Sequence, residues 1–148
     1  MQVRQILNAK VMSGVETVRP DTTIAEVAEL LARKKIGAVI VSQSGDTADG
    51  IVSERDIVRE LGRRGTGCLT DTARAVMTAN LVTCAPSDRS HSLFAKMTEG
   101  RFRHLPVVED GKMIGLVSIG DVVAAQMSEL KMEKKALESM VMGVDVGG

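Results

Sequence analysis

The chain has 148 residues, 44% of them hydrophobic, enough for one compact core or two small ones. Its 19 basic and 19 acidic residues cancel, so no global field draws it to nucleic acid or to an anionic membrane. With no Trp, no Tyr and two Phe it offers no stacking surface for single-stranded nucleic acid, and its apolar runs fall far short of a bilayer span.

The N-terminal MQVRQILNAK shows no apolar core like that of a signal peptide, and its Arg4 and Lys10 read as solvated charges. The first strand is expected around Val18. Thr23-x-x-Glu26, just after Pro20, is a capping-box pattern, and Ile24, Val27, Ala28 and Leu31 recur at helical spacing behind it. Gly37 follows a basic last turn and reads as the helix exit. Ala38 to Val41 is a short β-branched run, hence a buried strand. A turn over Ser42 to Gly50 leads to a second strand opening at Ile51-Val52. Ser53 then stands at a helix N-cap with Asp56 in the first turn, and Ile57, Val58 and Leu61 form that helix's apolar face.

GRRGTGCLTDTARAVMT reads as a flexible joint followed by a short helix over Thr72 to Met77. Leu81 to Thr83 is expected to be the next leading strand, with a helix marked by Leu93, Phe94 and Met97. Leu105 to Val108 is a strand, Asp110-Gly111 a tight hairpin turn, and Met113 to Val117 the returning strand. The last helix runs long, from about Asp121 to Met142. Val123, Met127, Leu130, Leu137 and Val141 form a broken apolar stripe along it, and its methionines Met127, Met132, Met140 and Met142 read as a partner or dimer contact.

These elements occur twice. Pro20 aligns with Pro86 at an offset of 66, and GIVSERD (Gly50 to Asp56) with GLVSIGD (Gly115 to Asp121) at an offset of 65. The chain therefore divides into a first unit over 1–66, a second over 67–130 with its preceding short helix, and a helical tail over 131–148. Each unit is strand, helix, strand, strand, helix, an α/β (α+β) fold. Cys68 and Cys84 lie 16 apart with no CxxC pairing, so free thiols in a reducing cytoplasm are expected. His91 and His104 have no cysteine at ligand spacing, and a zinc site is poorly supported. There is no Ser–His–acid spacing, P-loop, GxGxxG or paired metal-ligand set, so no residues are visible to carry catalysis or nucleic-acid binding.

The duplicated unit, the phrases GIVSERD and GLVSIGD, and RFRHLPVVEDGKMIGLVSIGDVV resemble a tandem pair of CBS domains, the cystathionine-β-synthase module. The resemblance covers about Val3 to Leu130, with no catalytic domain attached. It implies a pseudo-twofold pair of units, commonly assembled as a disc-shaped homodimer. Clefts between the units would hold an adenosine-containing ligand such as AMP, ATP, NAD or S-adenosylmethionine, and an unnamed target protein would read the result.

Within that resemblance Asp121 is the favoured ribose ligand, with Asp56 about as readily a helix-terminus residue as a ligand. Ser118 and Ser53 would cap their helices and also reach ribose or phosphate. Arg101, Arg103 and His104 offer charge for phosphate, with strand alternation placing Arg103 and His104 on opposite faces. GLVSIGD has a Gly where GIVSERD has Arg55, and is expected to take its charge from RFRH instead. Arg55 and Lys35 are the candidates of the first unit. Val18, Ala38, Val39, Ile51, Leu105, Pro106 and Ile119 are candidates for an adenine slot on the strength of the resemblance alone, since such residues are more often simple core. The competing reading is a structural or interaction protein with empty clefts, acting through its dimer face.

Overall fold

The computed structural model describes residues 1–10 and 15–142. Helix α1 (Val3–Ala9) is followed by β1 (Thr17–Val18), α2 (Ile24–Lys34), β2 (Ala38–Val41), β3 (Gly50–Ser53) and α3 (Glu54–Arg64). A 3-10 helix (Gly65–Thr70) and α4 (Ala73–Val76) lead to α5 (Ser90–Gly100), β4 (His104–Glu109), β5 (Lys112–Ser118) and α6 (Ile119–Val141). The two repeated units of the sequence are present. Helix α1 is an element the sequence did not announce.

In the first unit β1 pairs parallel with β2, and β2 antiparallel with β3. In the second, β4 and β5 pair antiparallel, and the expected leading strand at Leu81 to Thr83 does not form. One parallel bridge, Cys84 to Val107, stands in its place. The cause is Pro106. In the first unit the Ile40 N–H donates to the Glu16 carbonyl at 3.1 Å. Pro106 occupies the repeat-related position and has no N–H to give, so the ladder loses a rung. The next rung survives in both copies: Ser42 N to Val18 O and Val108 N to Cys84 O are each 2.9 Å.

Local chemistry sets the element ends. Helix α2 starts on the Thr23 hydroxyl, which accepts from Glu26 N at 3.2 Å. It leaves not through Gly37 but through Lys35, whose φ of 56° is left-handed, and α5 leaves in the same way through Arg101, also at 56°. The β4–β5 hairpin turns on Asp110 and Gly111, both at positive φ, as an Asp-Gly turn requires. Helix α6 begins at Ile119, two residues before the expected start, because Ser118 is its cap.

Packing crosses the boundary that the repeat draws in the sequence. The first core gathers Ile24, Val27, Val39, Val52 and Ile57 with Ala73 and Val76 from α4. The second gathers Leu93, Leu105, Val117 and Val122 with Val3 and Ile6 from α1. Each short helix is anchored on the other unit through its own unsatisfied N-terminal N–H groups. Val3 N and Arg4 N donate to the carbonyls of Asp88 and Pro86, while Ala73 N and Arg74 N donate to those of Thr22 and Pro20. Burying Val3 and Ile6 is worth about 1.5–3 kcal/mol each by area transfer, so α1 is held firmly. The joint before α4 is also built rather than loose: Cys68 is fully buried, and Arg64 bridges Glu60 and Asp71.

Candidate functional site

The two strand-to-helix corners are near copies. At the first, Ser53 N donates to Asp56 Oδ2 at 2.8 Å, and Asp56 N donates back to Ser53 Oγ at 3.3 Å. At the second, Ser118 N donates to Asp121 Oδ2 at 2.9 Å, and Asp121 N to Ser118 Oγ at 3.2 Å. Both are capping boxes with Asp in the role Glu usually takes. Each corner is tied to the strand entry of its own unit by one further bond: Glu54 N donates to Gly37 O at 2.9 Å and Ile119 N to Arg103 O at 2.8 Å.

The corners differ in what holds the carboxylate. Asp56 Oδ1 accepts from Arg59 Nη2 at 2.8 Å, on the same helix. Asp121 Oδ2 accepts from Lys10 Nζ at 3.0 Å, and the same ammonium reaches the Leu116 carbonyl at 2.8 Å. Lys10 is therefore a structural cation and not a solvated one, and Arg4 likewise pairs with Glu109. Burial pushes the Asp121 carboxyl up, but the Ser118 N–H and the Lys10 ammonium outweigh it and hold it below the ordinary carboxylate value.

A cavity of about 450 Å³ opens between the two units beside the first corner. The first unit contributes Gly37, Ile51, Ser53, Glu54, Arg55, Asp56 and Arg59. The second side is made by Thr78, Asn80, Leu81 and Val82, and by the run Gly100 to His104. Its size falls within the range of small-molecule sites, about 300–1,000 Å³. Among the described residues Arg55, Arg101 and Arg103 have no carboxylate within ion-pair distance, and all are exposed. His104 sits deeper, where burial holds its imidazole below the ordinary value of 6.5 against the upward pull of Asp121 and Glu54.

A fold built from two such units, joined across a basic cleft, is matched by one family model. The CBS domain model fits residues 3–63 and again 73–128. The chain belongs to the CBS-domain family.

Among other CBS-domain proteins, a mitochondrial one from Arabidopsis thaliana is 32% identical over 127 residues, covering 83% of this chain and 62% of its own length. A second from the same plant is matched over 25% of its length, so the chain spans only part of these curated relatives. The crystal structure of a CBS-domain protein from Agrobacterium tumefaciens superposes with a TM-score of 0.81 at 40% identity, covering 85% of this chain and 99% of that one. One from Pyrobaculum aerophilum, complexed with AMP, superposes at 0.70 with 26% identity, covering 82% and 89%.

Of the residues singled out in the sequence, this CBS pair brings Ser53, Arg55, Asp56, Arg101, Arg103, His104 and Ile51 to one cavity. RFRH thus joins the corner of GIVSERD, not that of GLVSIGD. Arg103 and His104 both line the cavity, because Arg103 precedes β4 and strand alternation does not govern it. Asp121, Ser118, Ile119, Lys35 and Pro106 lie outside it. Val39 and Leu105 have no exposed surface, and Ala38 almost none; they are core, as Val18 and Ile119 are its partners. The sequence reading did not include Arg59, Phe102 or the segment Thr78 to Val82. Arg59 was findable, since it sits one helical turn beyond Asp56; the others are placed only by the meeting of the units.

Proposed function

We propose that this CBS pair is a regulatory module that binds an adenosine-containing ligand of the AMP, ATP or NAD class in the cleft between its units. The observation that carries the reading is the gathering, in one cavity, of a corner carboxylate and three guanidiniums without carboxylate partners. Asp56 would accept from ribose hydroxyls, Ser53 and the start of α3 would face phosphate, and Arg55, Arg101 and Arg103 would neutralise it. Ile51, Leu81, Val82 and Phe102 supply apolar surface for a base. The AMP complex of the Pyrobaculum relative supports the ligand class. Asp56 is favoured over Asp121 because it lines this cavity together with the arginines, whereas Asp121 does not.

The module is read as non-catalytic and cytoplasmic, in keeping with two buried free cysteines. No described helix is long and apolar enough to cross a membrane. A ligand touching both units would shift their relative angle, and a homodimer or an unidentified target would sense it. Exposed Val58, Leu61, Val123 and Met127 on α3 and α6 favour a second copy as the first listener, and would serve an interaction role even with the cleft empty.

Thermal unfolding against AMP, ADP, ATP, NAD, NADH and S-adenosylmethionine tests the reading. A ligand at a thousand times its dissociation constant should add about 4 kcal/mol. Asp56→Ala should remove most of that gain. If none of the six moves the melting temperature, the adenosine-ligand reading fails.

A further inference from the structure

We infer that the cleft at Asp56 selects an adenosine ligand bearing a chain of two or more phosphates, and that the repeat-related corner at Asp121 does not share this selectivity. The inference rests on the proposed adenosine site and deepens it. Four guanidiniums, Arg55, Arg59, Arg101 and Arg103, line the cavity against two carboxylates, Glu54 and Asp56. Two positive charges remain in excess, and burial disfavours the charged form of His104, so it adds none at neutral pH. The arginines stand on separate segments, two along α3, one at the left-handed cap after α5 and one before β4. Arg59 is already paired with Asp56 Oδ1, which leaves three free forks on separate segments. A single phosphate presents its oxygens at one point, whereas a diphosphate or triphosphate chain spreads acceptors among such forks.

The duplication supplies an internal control. At the related positions of the other corner the chain has Gly120 for Arg55, Ala124 for Arg59, Lys35 for Arg101 and Gly37 for Arg103. Every guanidinium is lost: Lys35 keeps a single charge without a fork, and Lys10 is occupied by Asp121 and the Leu116 carbonyl. Two corners with the same serine–aspartate capping box thus differ in the one property that reads phosphate number.

ADP, ATP and NAD share a pyrophosphate, and calorimetric titration separates them. Adenosine, AMP, ADP, ATP, NAD and S-adenosylmethionine are titrated into the full chain at low and at physiological salt. At least one of ADP, ATP and NAD should bind tenfold or more tighter than AMP, and S-adenosylmethionine, a sulfonium cation, weakest. The gap should shrink with salt. Arg101→Gln with Arg103→Gln should close the gap to AMP by tenfold while AMP itself still binds; circular dichroism melts confirm that the variant folds. Lys35→Gln should leave the gap unchanged. AMP binding as tightly as all three pyrophosphate ligands, or S-adenosylmethionine as tightly as ATP, would overturn the inference and leave the adenosine site standing. Binding of none of the six would remove both.

Discussion

The Lys10 ammonium lies 3.0 Å from Asp121 Oδ2, whereas Asp56, the repeat-related carboxylate, is held by Arg59 of its own helix. The two pairs are built differently. Lys10 arrives from the end of α1, a helix that packs on the second core, and joins segments 111 residues apart. Arg59 is three residues from Asp56 and could form its pair in an isolated helix.

That difference predicts unequal effects on stability. The Lys10–Asp121 pair is half-buried, with side chains 32% and 23% exposed. Lys10→Met should destabilise the chain by about 1–2 kcal/mol, between surface and buried pairs. Arg59, itself well exposed, should cost about 0.5 kcal/mol as Arg59→Met. Urea unfolding of Lys10→Met, Asp121→Asn and the double variant checks the coupling; strictly additive effects would mean that the pair contributes nothing.

His104 predicts a pH dependence with a definite sign. Burial holds its folded value below the ordinary 6.5, opposed by Asp121 and Glu54 and assisted by Lys10 and Arg103. The unfolded chain therefore takes up this proton first as pH falls, and stability drops as pH falls from about 6.5 towards the lower folded value. Asp121, with its carboxyl held below the ordinary 3.8, loses its contribution only as pH falls below about 4. Unfolding free energy measured from pH 7.5 to 5 should decline in the wild type and flatten in His104→Asn. Equal slopes in the two proteins would count against a buried neutral imidazole.

Gly100 predicts a link between packing and the cleft. A Cβ at this position would overlap the Phe102 ring, which packs against the second core and lines the cavity. Gly100→Ala should cost about 1–3 kcal/mol, typical of overpacking, and should weaken nucleotide binding by turning the ring. A melting curve and a titration of the same variant test both halves. Gly37→Ala is the contrast, since its added Cβ meets Glu54 and His104 at 3.6 Å, an ordinary contact; it should melt close to wild type.

The exposed apolar faces of α3 and α6 predict the assembly. Val58 is 66% and Val123 44% exposed, and the two positions are repeat-related. Val58→Asp with Val123→Asp should convert a dimer to a folded monomer by light scattering at micromolar concentration, with little change in the circular dichroism spectrum. A wild-type mass of one chain would remove self-association from the proposal.

Much of the fold was legible because its signals are local. Ser53 and Asp56, or Ser118 and Asp121, sit three residues apart and need only a helix start to meet. Asp110-Gly111 carries its own turn geometry. Where a local signal depended on a distant partner, reading failed. Leu81 to Thr83 has strand-forming residues, yet the missing N–H of Pro106 leaves that segment without a continuous ladder. Lys10 looked solvated because its acceptors lie more than a hundred residues on.

By itself the sequence determined that there are two similar units, which serines cap their corner helices, and which residues carry charge, since periodicity, capping and duplication are properties of neighbouring residues. Only the tertiary structure decided which charge serves which corner. Segments 50 to 56 and 101 to 104 meet because the two units pack together, with α1 and α4 each anchored on the other unit's Pro-containing turn. A cleft is made by such a meeting, and no spacing along the chain encodes it. Asp121, the expected ribose ligand, is paired with Lys10, while its counterpart Asp56 lines the cleft with the arginines.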